Sequence, residues 1–187
     1  MSLQQTATLD DYYAFVSRPE NADRLFELID GEIVEVSPSF LPSAIGIQIA
    51  YYIKVWLHAQ NPKSGYITGA DGGYMMPDGG KYNPDVGYIR KSRLTEIPAR
   101  EVPMMMDFAV EVLSPSDADH RRRVTQKVDG YKSAKVPLLW VVEPKDKTVQ
   151  VYAYGEDKGI YKRGDTLDGG DVLPGFSLPV RDVFDIE

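Results

Sequence analysis

Two carboxylates and a lysine have the residue types and the spacing that hydrolysis of a phosphate ester would need. Asp85 follows Asn83-Pro84 at the start of a predicted strand, and Glu111 lies among apolar residues in the strand-like run 107–113. A buried carboxylate without a partner is energetically costly, so Glu111 requires a cation, a hydrogen-bond donor or a raised pKa. Both acids are therefore candidates for a functional site.

Lys127 is the third candidate, on a predicted basic helix with an apolar stripe of Val124, Val128 and Tyr131. It follows Val124 by three residues and precedes Tyr131 by four, which places it on the face that packs against the sheet. Two carboxylates can hold a divalent cation that polarises a phosphoryl oxygen and lowers the pKa of bound water. The lysine can stabilise the negative charge that develops on the phosphate.

Each of the three residues also has a purely structural interpretation. Asp85 could be a turn residue after proline, and Glu111 could pair with a nearby arginine. Lys127 could lay its stem on the core and keep its ammonium group in water. A functional role for Glu111 is favoured because the strand ends there and a loop begins.

The composition is compatible with this chemistry. The chain has 187 residues, with 28 Asp and Glu, 21 Lys and Arg, two His and no Cys. The absence of cysteine excludes disulfides, thiol nucleophiles and thiolate metal sites, and two histidines are too few for a His-rich zinc site. The many carboxylates favour a hard cation such as Mg²⁺ or Mn²⁺.

The elements that must position these residues form an α/β domain, and we expect one domain over residues 1–187. Thr8 with Asp11 marks a capped helix start, and Asp30-Gly31 marks a tight turn between two strands. The strand–helix–strand unit 108–142 is expected to be parallel and right-handed. The predicted elements are a helix after Thr8, hairpin strands 25–29 and 32–37, a helix 43–59, short strands within 65–82, strands 85–89 and 108–113, a helix 120–134, a strand 138–142, a hairpin of 149–154 and 159–162 that turns at 155–158, and C-terminal turns at 172–176.

Six segments also carry a family resemblance, and they occur in the right order along the chain. They are Phe26–Val34, Asn83–Val86, Val110–Ser116, Lys127–Tyr131, Trp140–Pro144 and Leu173–Phe176. Together they resemble the Uma-two family of putative restriction endonucleases, within the PD-(D/E)XK nuclease superfamily. The resemblance covers nearly the whole chain and implies a restriction-endonuclease-like mixed β-sheet flanked by helices, with an added N-terminal hairpin and a C-terminal hairpin.

The resemblance also implies Mg²⁺- or Mn²⁺-dependent hydrolysis of phosphodiester bonds in DNA. Asp85 matches the aspartate of the PD motif and Glu111 the acidic residue of the second motif. Both would be metal ligands, together with the backbone carbonyl of Val112. Leu113 stands where the superfamily usually has lysine, and Lys127 on the following helix is the matching position.

Two further acids follow from the resemblance. Glu27 matches the glutamate before the Asp-Gly turn and would complete the acidic cluster as a fourth catalytic candidate. Glu32 is a weaker candidate.

Two other functions remain open at this point. A nuclease-like domain that does not cut could serve as a binding or assembly module. A carboxylate-pair glycosidase would need only two acids about 5–10 Å apart, and it would gain nothing from Lys127.

The overall charge constrains how DNA could be bound. The net charge of −7 opposes broad adhesion to DNA, so we expect a local basic patch at Arg121–Arg123. We also expect a homodimer, because a single-site enzyme needs two copies to cut both strands. No signal peptide and no membrane segment are predicted, so the expected location is the cytoplasm.

Overall fold

The structure is a computed structural model that describes residues 6–36, 39–60 and 63–186. Its helices are α1 (Leu9–Val16), α2 (Phe40–Ala59), α3 (Ala118–Ser133) and α4 (Val180–Val183). Its strands are β1 (Phe26–Ile29), β2 (Glu32–Glu35), β3 (Gly65–Gly69), β4 (Tyr74–Met75), β5 (Lys81–Tyr82), β6 (Val86–Arg90), β7 (Phe108–Val112), β8 (Leu138–Glu143), β9 (Thr148–Ala153), β10 (Glu156–Tyr161), β11 (Thr166–Asp168) and β12 (Ser177–Pro179). Ser37, at the end of a predicted strand, lies outside the described residues.

The central sheet has six strands in the order β10-β9-β8-β7-β6-β3. Strands β7 and β8 pair in parallel, with Glu111 beside Val141, and the other neighbouring strands pair antiparallel. This arrangement confirms the predicted mixed sheet and the parallel pairing on either side of α3. β7 is paired with a strand on each edge, and side chains of α2 and α3 cover its two faces. All five of its residues are therefore buried.

The two faces of β7 differ in chemistry because side chains alternate along a strand. Phe108, Val110 and Val112 pack with α2 in one apolar cluster. Ala109 belongs to a second cluster on the opposite face, with Tyr131 of α3. Glu111 shares that opposite face, so its carboxylate points toward α3 rather than α2.

A second sheet, in the order β2-β1-β5-β4, lies on the α3 side and supplies further site residues. Tyr82 of β5 packs edge-on against Tyr131, with ring centroids 5.3 Å apart. Gly130 permits this contact, because a Cβ at that position would clash with the Tyr82 ring. The close approach of α3 to this sheet brings Lys127 next to β1 and to the loop after β5.

The local signals at the N-terminus are confirmed. Thr8 and Asp11 form a capping box, in which the Thr8 backbone N–H donates to Asp11 Oδ2 at 2.9 Å and the Asp11 N–H donates to Thr8 Oγ1 at 3.2 Å. Asp30 and Gly31 have φ values of 50° and 75°, the left-handed conformation that a two-residue hairpin turn requires.

Most boundaries lie within one or two residues of the predictions, and two differences are larger. Helix α2 begins at Phe40 rather than at residue 43, because Pro42 lies in the first turn, where its missing N–H costs no hydrogen bond. The predicted turn at 155–158 is wrong. The chain reverses at Tyr154-Gly155, both with positive φ, and the charged residues from Glu156 onward form the exposed edge strand β10.

Helix α2 is, within the described ranges, the one helix long and apolar enough to cross a membrane by length and composition alone. Its buried side chains Ile45, Ile49 and Ile53 pack in the same cluster as the apolar face of β7. The helix therefore covers one face of the central sheet in this structure. Its opposite face is exposed and carries Ile47.

Candidate active site

A small cavity of about 50 Å³ lies where β1, β6, β7 and α3 meet. All four catalytic residues predicted from the sequence line it, and so do three polar residues that sequence reasoning did not assign to the site. The predicted residues are Glu27, Asp85, Glu111 and Lys127, and the additional ones are Asn83, His120 and Arg123. The weaker candidate Glu32 is exposed on β2 and does not line this cavity.

Lys127 occupies the centre of this group of charges. Its Nζ lies 2.7 Å from Glu111 Oε1 and 2.9 Å from Glu27 Oε1, and it donates to the backbone carbonyl of Asn83 at 2.9 Å. An ammonium group has three donors, and all three are used here. Burial lowers the pKa of Lys127, but the two carboxylates outweigh burial and raise it above the ordinary value, so the side chain stays charged.

Glu111 is held through one of its two oxygens. Oε1 accepts the bond from Lys127 and a second bond from the Tyr131 hydroxyl at 2.7 Å. Burial raises the pKa of the Glu111 carboxyl, and the positive charge of Lys127 opposes that rise. Burial also raises the pKa of Tyr131, and the neighbouring Glu111 raises it further, so the hydroxyl remains a donor.

Glu27 reaches the same lysine from the second sheet. Its Oε1 accepts the Lys127 bond and also accepts the backbone N–H of Asn83. Glu27 is therefore fixed relative to the segment that leads into Asp85. Two elements distant in sequence, the β1 hairpin and the loop after β5, are joined to α3 through this carboxylate.

Asp85 lines the same cavity as Lys127. Its Oδ2 accepts the backbone N–H of Val112 at 2.7 Å, which ties it to the end of β7. Burial raises the pKa of Asp85 to about 6, against the lowering effects of the Val112 bond and of Lys127. Asp85 is therefore hydrogen-bonded to Val112 and lines the same cavity as Glu111, the two residues that the family resemblance pairs with it as metal ligands.

The donor chemistry of the cavity fits a hard divalent cation. Among the described residues, the second oxygen of each carboxylate accepts no hydrogen bond, which leaves Glu27 Oε2, Asp85 Oδ1 and Glu111 Oε2 available. The carboxamide of Asn83 is buried and both of its polar atoms lack a partner. Within the described part of the chain, however, no three acidic or imidazole side chains already stand in a metal-binding arrangement. Lys127 compensates the acidic charge instead.

His120 was not identified as a site residue because nothing in its sequence context distinguishes it. Its Nδ1 accepts the backbone N–H of Ser114 at 3.3 Å, so the proton of the neutral imidazole lies on Nε2. Burial lowers the pKa of His120, and the charge of Arg123 lowers it further. The ring is therefore a neutral hydrogen-bond donor at the mouth of the cavity.

The three arginines at the start of α3 have different surroundings. Arg121 forms an ion pair with Glu143 at 2.6 Å. Arg122 bonds only to the neutral side chain of Gln126 at 3.4 Å, and Arg123 lines the cavity. Of the three, Arg121 alone is paired with an acid among the residues that the structure describes.

The sheet, the helices on its two faces and the acidic cavity with its buried lysine define a restriction-endonuclease-like α/β protein. The chain belongs to the Uma2 family, described as "putative restriction endonuclease", whose profile matches residues 9–181. The resemblance and the fold class expected from the sequence are both confirmed by this match and by the structural similarity below.

A solved structure supports the fold assignment. The chain is similar to a crystal structure described as a putative nuclease belonging to DUF820 from Anabaena variabilis, with a TM-score of 0.76. The two sequences are 19% identical, and the similarity covers 96% of this chain and 98% of the other. At this identity the similarity establishes the shared fold. No curated protein matches the chain.

Proposed function

We propose that the chain is one nuclease-like domain that hydrolyses phosphodiester bonds of DNA with the help of Mg²⁺ or Mn²⁺. The observation that carries the proposal is the buried Lys127, bonded to Glu111 and Glu27 in a cavity that Asp85 also lines. Burying charged groups costs free energy, and well-packed apolar side chains in their place often give an equally or more stable protein. The cavity lies at the end of the central strand β7, which carries Glu111, and this position is consistent with use in catalysis.

The proposed metal ligands are Asp85, Glu111 and the backbone carbonyl of Val112. When bound, a divalent cation would neutralise charge on the phosphate and promote ionisation of a water molecule. The hydrogen bond from the Val112 N–H to Asp85 fixes that carboxylate at the end of β7. Lys127 and Tyr131 hold Glu111 through Oε1 and leave Oε2 available for the cation.

Lys127 has two roles in this proposal. Its ammonium group is bonded directly to the proposed ligand Glu111, so its charge stabilises negative charge as it develops on the nearby phosphate. It also holds Glu27 and Glu111 in place, because its ammonium group donates to Oε1 of both carboxylates. Glu27 in turn holds the lysine in place.

DNA would approach through the start of α3. Arg122 and Arg123 are the proposed phosphate contacts, since Arg121 is committed to Glu143. The net charge of −7 makes this local concentration of positive charge necessary for binding. The proposed location is the cytoplasm.

We also propose that the active form is a homodimer. The exposed face of α2 carries four large apolar side chains, Phe40, Ile47, Tyr51 and Val55, which are 87%, 69%, 59% and 52% exposed. Their spacing of seven, four and four residues places them in one stripe, and a second copy of the helix could cover it.

Ile47→Glu should convert a dimer into a monomer in size-exclusion chromatography with light scattering. A wild-type protein that is already monomeric would exclude the dimer.

The test of the nuclease proposal is cleavage of supercoiled plasmid DNA by the purified protein. Mg²⁺ or Mn²⁺ should support nicking by the wild type, EDTA should stop it, and Glu111→Ala and Lys127→Ala should abolish it. Equal cleavage by all three proteins would identify a contaminating nuclease and overturn the proposal.

The alternative function is a nuclease-like module that binds or assembles without cutting. One observation favours it, since all three donors of Lys127 are already engaged by the protein. A wild-type protein that binds DNA or a partner but leaves plasmid intact with either metal would establish this alternative.

A further inference from the structure

Four buried side-chain polar atoms in the described ranges have no hydrogen-bond partner, and two of them are Oδ1 and Nδ2 of Asn83. The whole residue is 5% exposed. A buried amide without partners destabilises a protein, so natural proteins rarely keep one without use. Both polar atoms of this side chain therefore lack a partner among the described residues, and the residue itself lines the cavity.

The position of Asn83 is fixed by its backbone. Its N–H donates to Glu27 Oε1, and its carbonyl accepts Lys127 Nζ at 2.9 Å. These two bonds hold the residue between Glu27 and Lys127. The side chain is thus pre-positioned at the cavity wall, although it takes no part in either bond.

We propose that Oδ1 of Asn83 is a neutral oxygen ligand of the divalent cation, beside Asp85 and Glu111. This inference rests on the proposed function. A cation is favoured over a phosphate group as the partner of this amide, because both amide atoms are shielded from solvent and the neighbouring side chains are carboxylates. A water molecule needs roughly 10–15 Å³ of space, so the cavity of about 50 Å³ has room for an ion with one or two waters.

The charge of the site also favours a neutral ligand. Three carboxyl side chains already line the cavity, together with the cations Lys127 and Arg123. A fourth acid would increase their repulsion in the metal-free protein, whereas an amide carbonyl adds an oxygen without adding charge. Carbonyl and carboxylate oxygens are the ligands that Mg²⁺ and Mn²⁺ prefer.

The test measures binding of Mn²⁺ alone to the metal-free full chain, by titration calorimetry and by the electron paramagnetic resonance signal of free Mn²⁺. Asn83→Ala should bind Mn²⁺ about tenfold more weakly than the wild type, a loss typical of changes around a metal. Its melting temperature in EDTA should be unchanged or higher, because the substitution removes no hydrogen bond. Asn83→Asp keeps a ligand oxygen and should bind at least as tightly as the wild type.

A matched control is available in Asn21, which is also buried but lies away from the cavity. Its side chain donates to the backbone carbonyl of Phe15 at 2.9 Å, so Asn21→Ala should lower the melting temperature and leave Mn²⁺ affinity unchanged.

Three results would count against the inference. Wild-type affinity in Asn83→Ala, with weakened binding in Glu111→Gln, would show a metal site without Asn83 and would overturn this inference alone. Weaker binding by Asn83→Asp than by the wild type would also overturn it, even if Asn83→Ala does not fold. No binding by the wild type at millimolar Mn²⁺ would overturn the proposed function as well.

Discussion

Two buried carboxylates on the same face of the sheet, Asp107 just before β7 and Glu111 near its end, are compensated in different ways. Asp107 Oδ1 lies 3.0 Å from Arg93 and 3.6 Å from Arg90, and its Oδ2 accepts the Arg90 backbone N–H at 2.8 Å. Both of its oxygens are used. The two arginine side chains are 32% and 31% exposed, so their charge remains partly in water.

The Glu111 end of the strand is organised differently. Its cation, Lys127, is 5% exposed and is shared with Glu27, and Glu111 uses only one of its two oxygens. Asp85 lines the same cavity and Asn83 lies there with an unpaired amide. Burial of an acid alone therefore does not identify a functional site. The feature that distinguishes the proposed site is a set of buried polar atoms without hydrogen-bond partners among the described residues.

The largest effect on stability is expected from Lys127→Met. The substitution leaves Glu27 and Glu111 buried without their cation, so the free energy of unfolding in EDTA should fall by about 3–5 kcal/mol. Urea denaturation followed by circular dichroism measures this change.

Lys132→Met is the matched control on the same helix. Lys132 is largely on the surface and lies 3.9 Å from Asp129, so its loss should cost about 1 kcal/mol or less. Equal losses in the two variants would show that the buried ion pairs of Lys127 stabilise the fold no more than the surface pair of Lys132 does.

A smaller effect is expected at the other end of the strand. Arg93→Ala removes one partner of Asp107, but the Arg90 backbone N–H and guanidinium remain. The free energy of unfolding should fall by about 1–2 kcal/mol, and the rate of plasmid cleavage per folded molecule should not change. A large loss of cleavage by folded Arg93→Ala would show that the two ends of β7 are not separate in function.

A third effect concerns the pH dependence of stability. Burial raises the pKa of Asp85 to about 6, so ionised Asp85 destabilises the folded state above that pH, and this penalty disappears as the pH falls toward the ordinary value of the carboxyl. Asp85→Asn should therefore be more stable than the wild type at pH 7.5, and the advantage should vanish by about pH 4. Asp107→Asn should instead be less stable than the wild type at pH 7.5, because it loses ion pairs. Urea denaturation at both pH values checks the sign, and an advantage of Asp85→Asn that grows on acidification would refute it.

The alternation of strand side chains and the spacing of helix side chains were sufficient to place Glu111 and Lys127 on facing surfaces. Each signal is local, since Glu111 interrupts an apolar strand and Lys127 borders an apolar helix stripe. Glu27 could be assigned only through the family resemblance, because it meets Lys127 across two sheets and no local pattern encodes that contact.

The remaining site residues could not be predicted for the same physical reason. Asn83 was visible only as part of the turn before Asp85, and the unpaired state of its amide depends on what surrounds it in three dimensions. His120 enters the cavity because the backbone N–H of Ser114 holds its ring. The misplaced turn before β10 has a local cause, since charged residues that suggest a loop are also typical of an exposed edge strand.

The most direct test of catalysis at the Glu111 end of β7 compares nicking of supercoiled plasmid by the wild type, Glu111→Gln and Asp107→Asn with Mg²⁺. The temperature is chosen so that circular dichroism shows all three proteins folded. Glu111→Gln should lose about 100-fold or more in initial rate, whereas Asp107→Asn should stay close to the wild type. Equal losses in both variants, or no loss in Glu111→Gln, would contradict the assignment of catalysis to the Glu111 end of the strand.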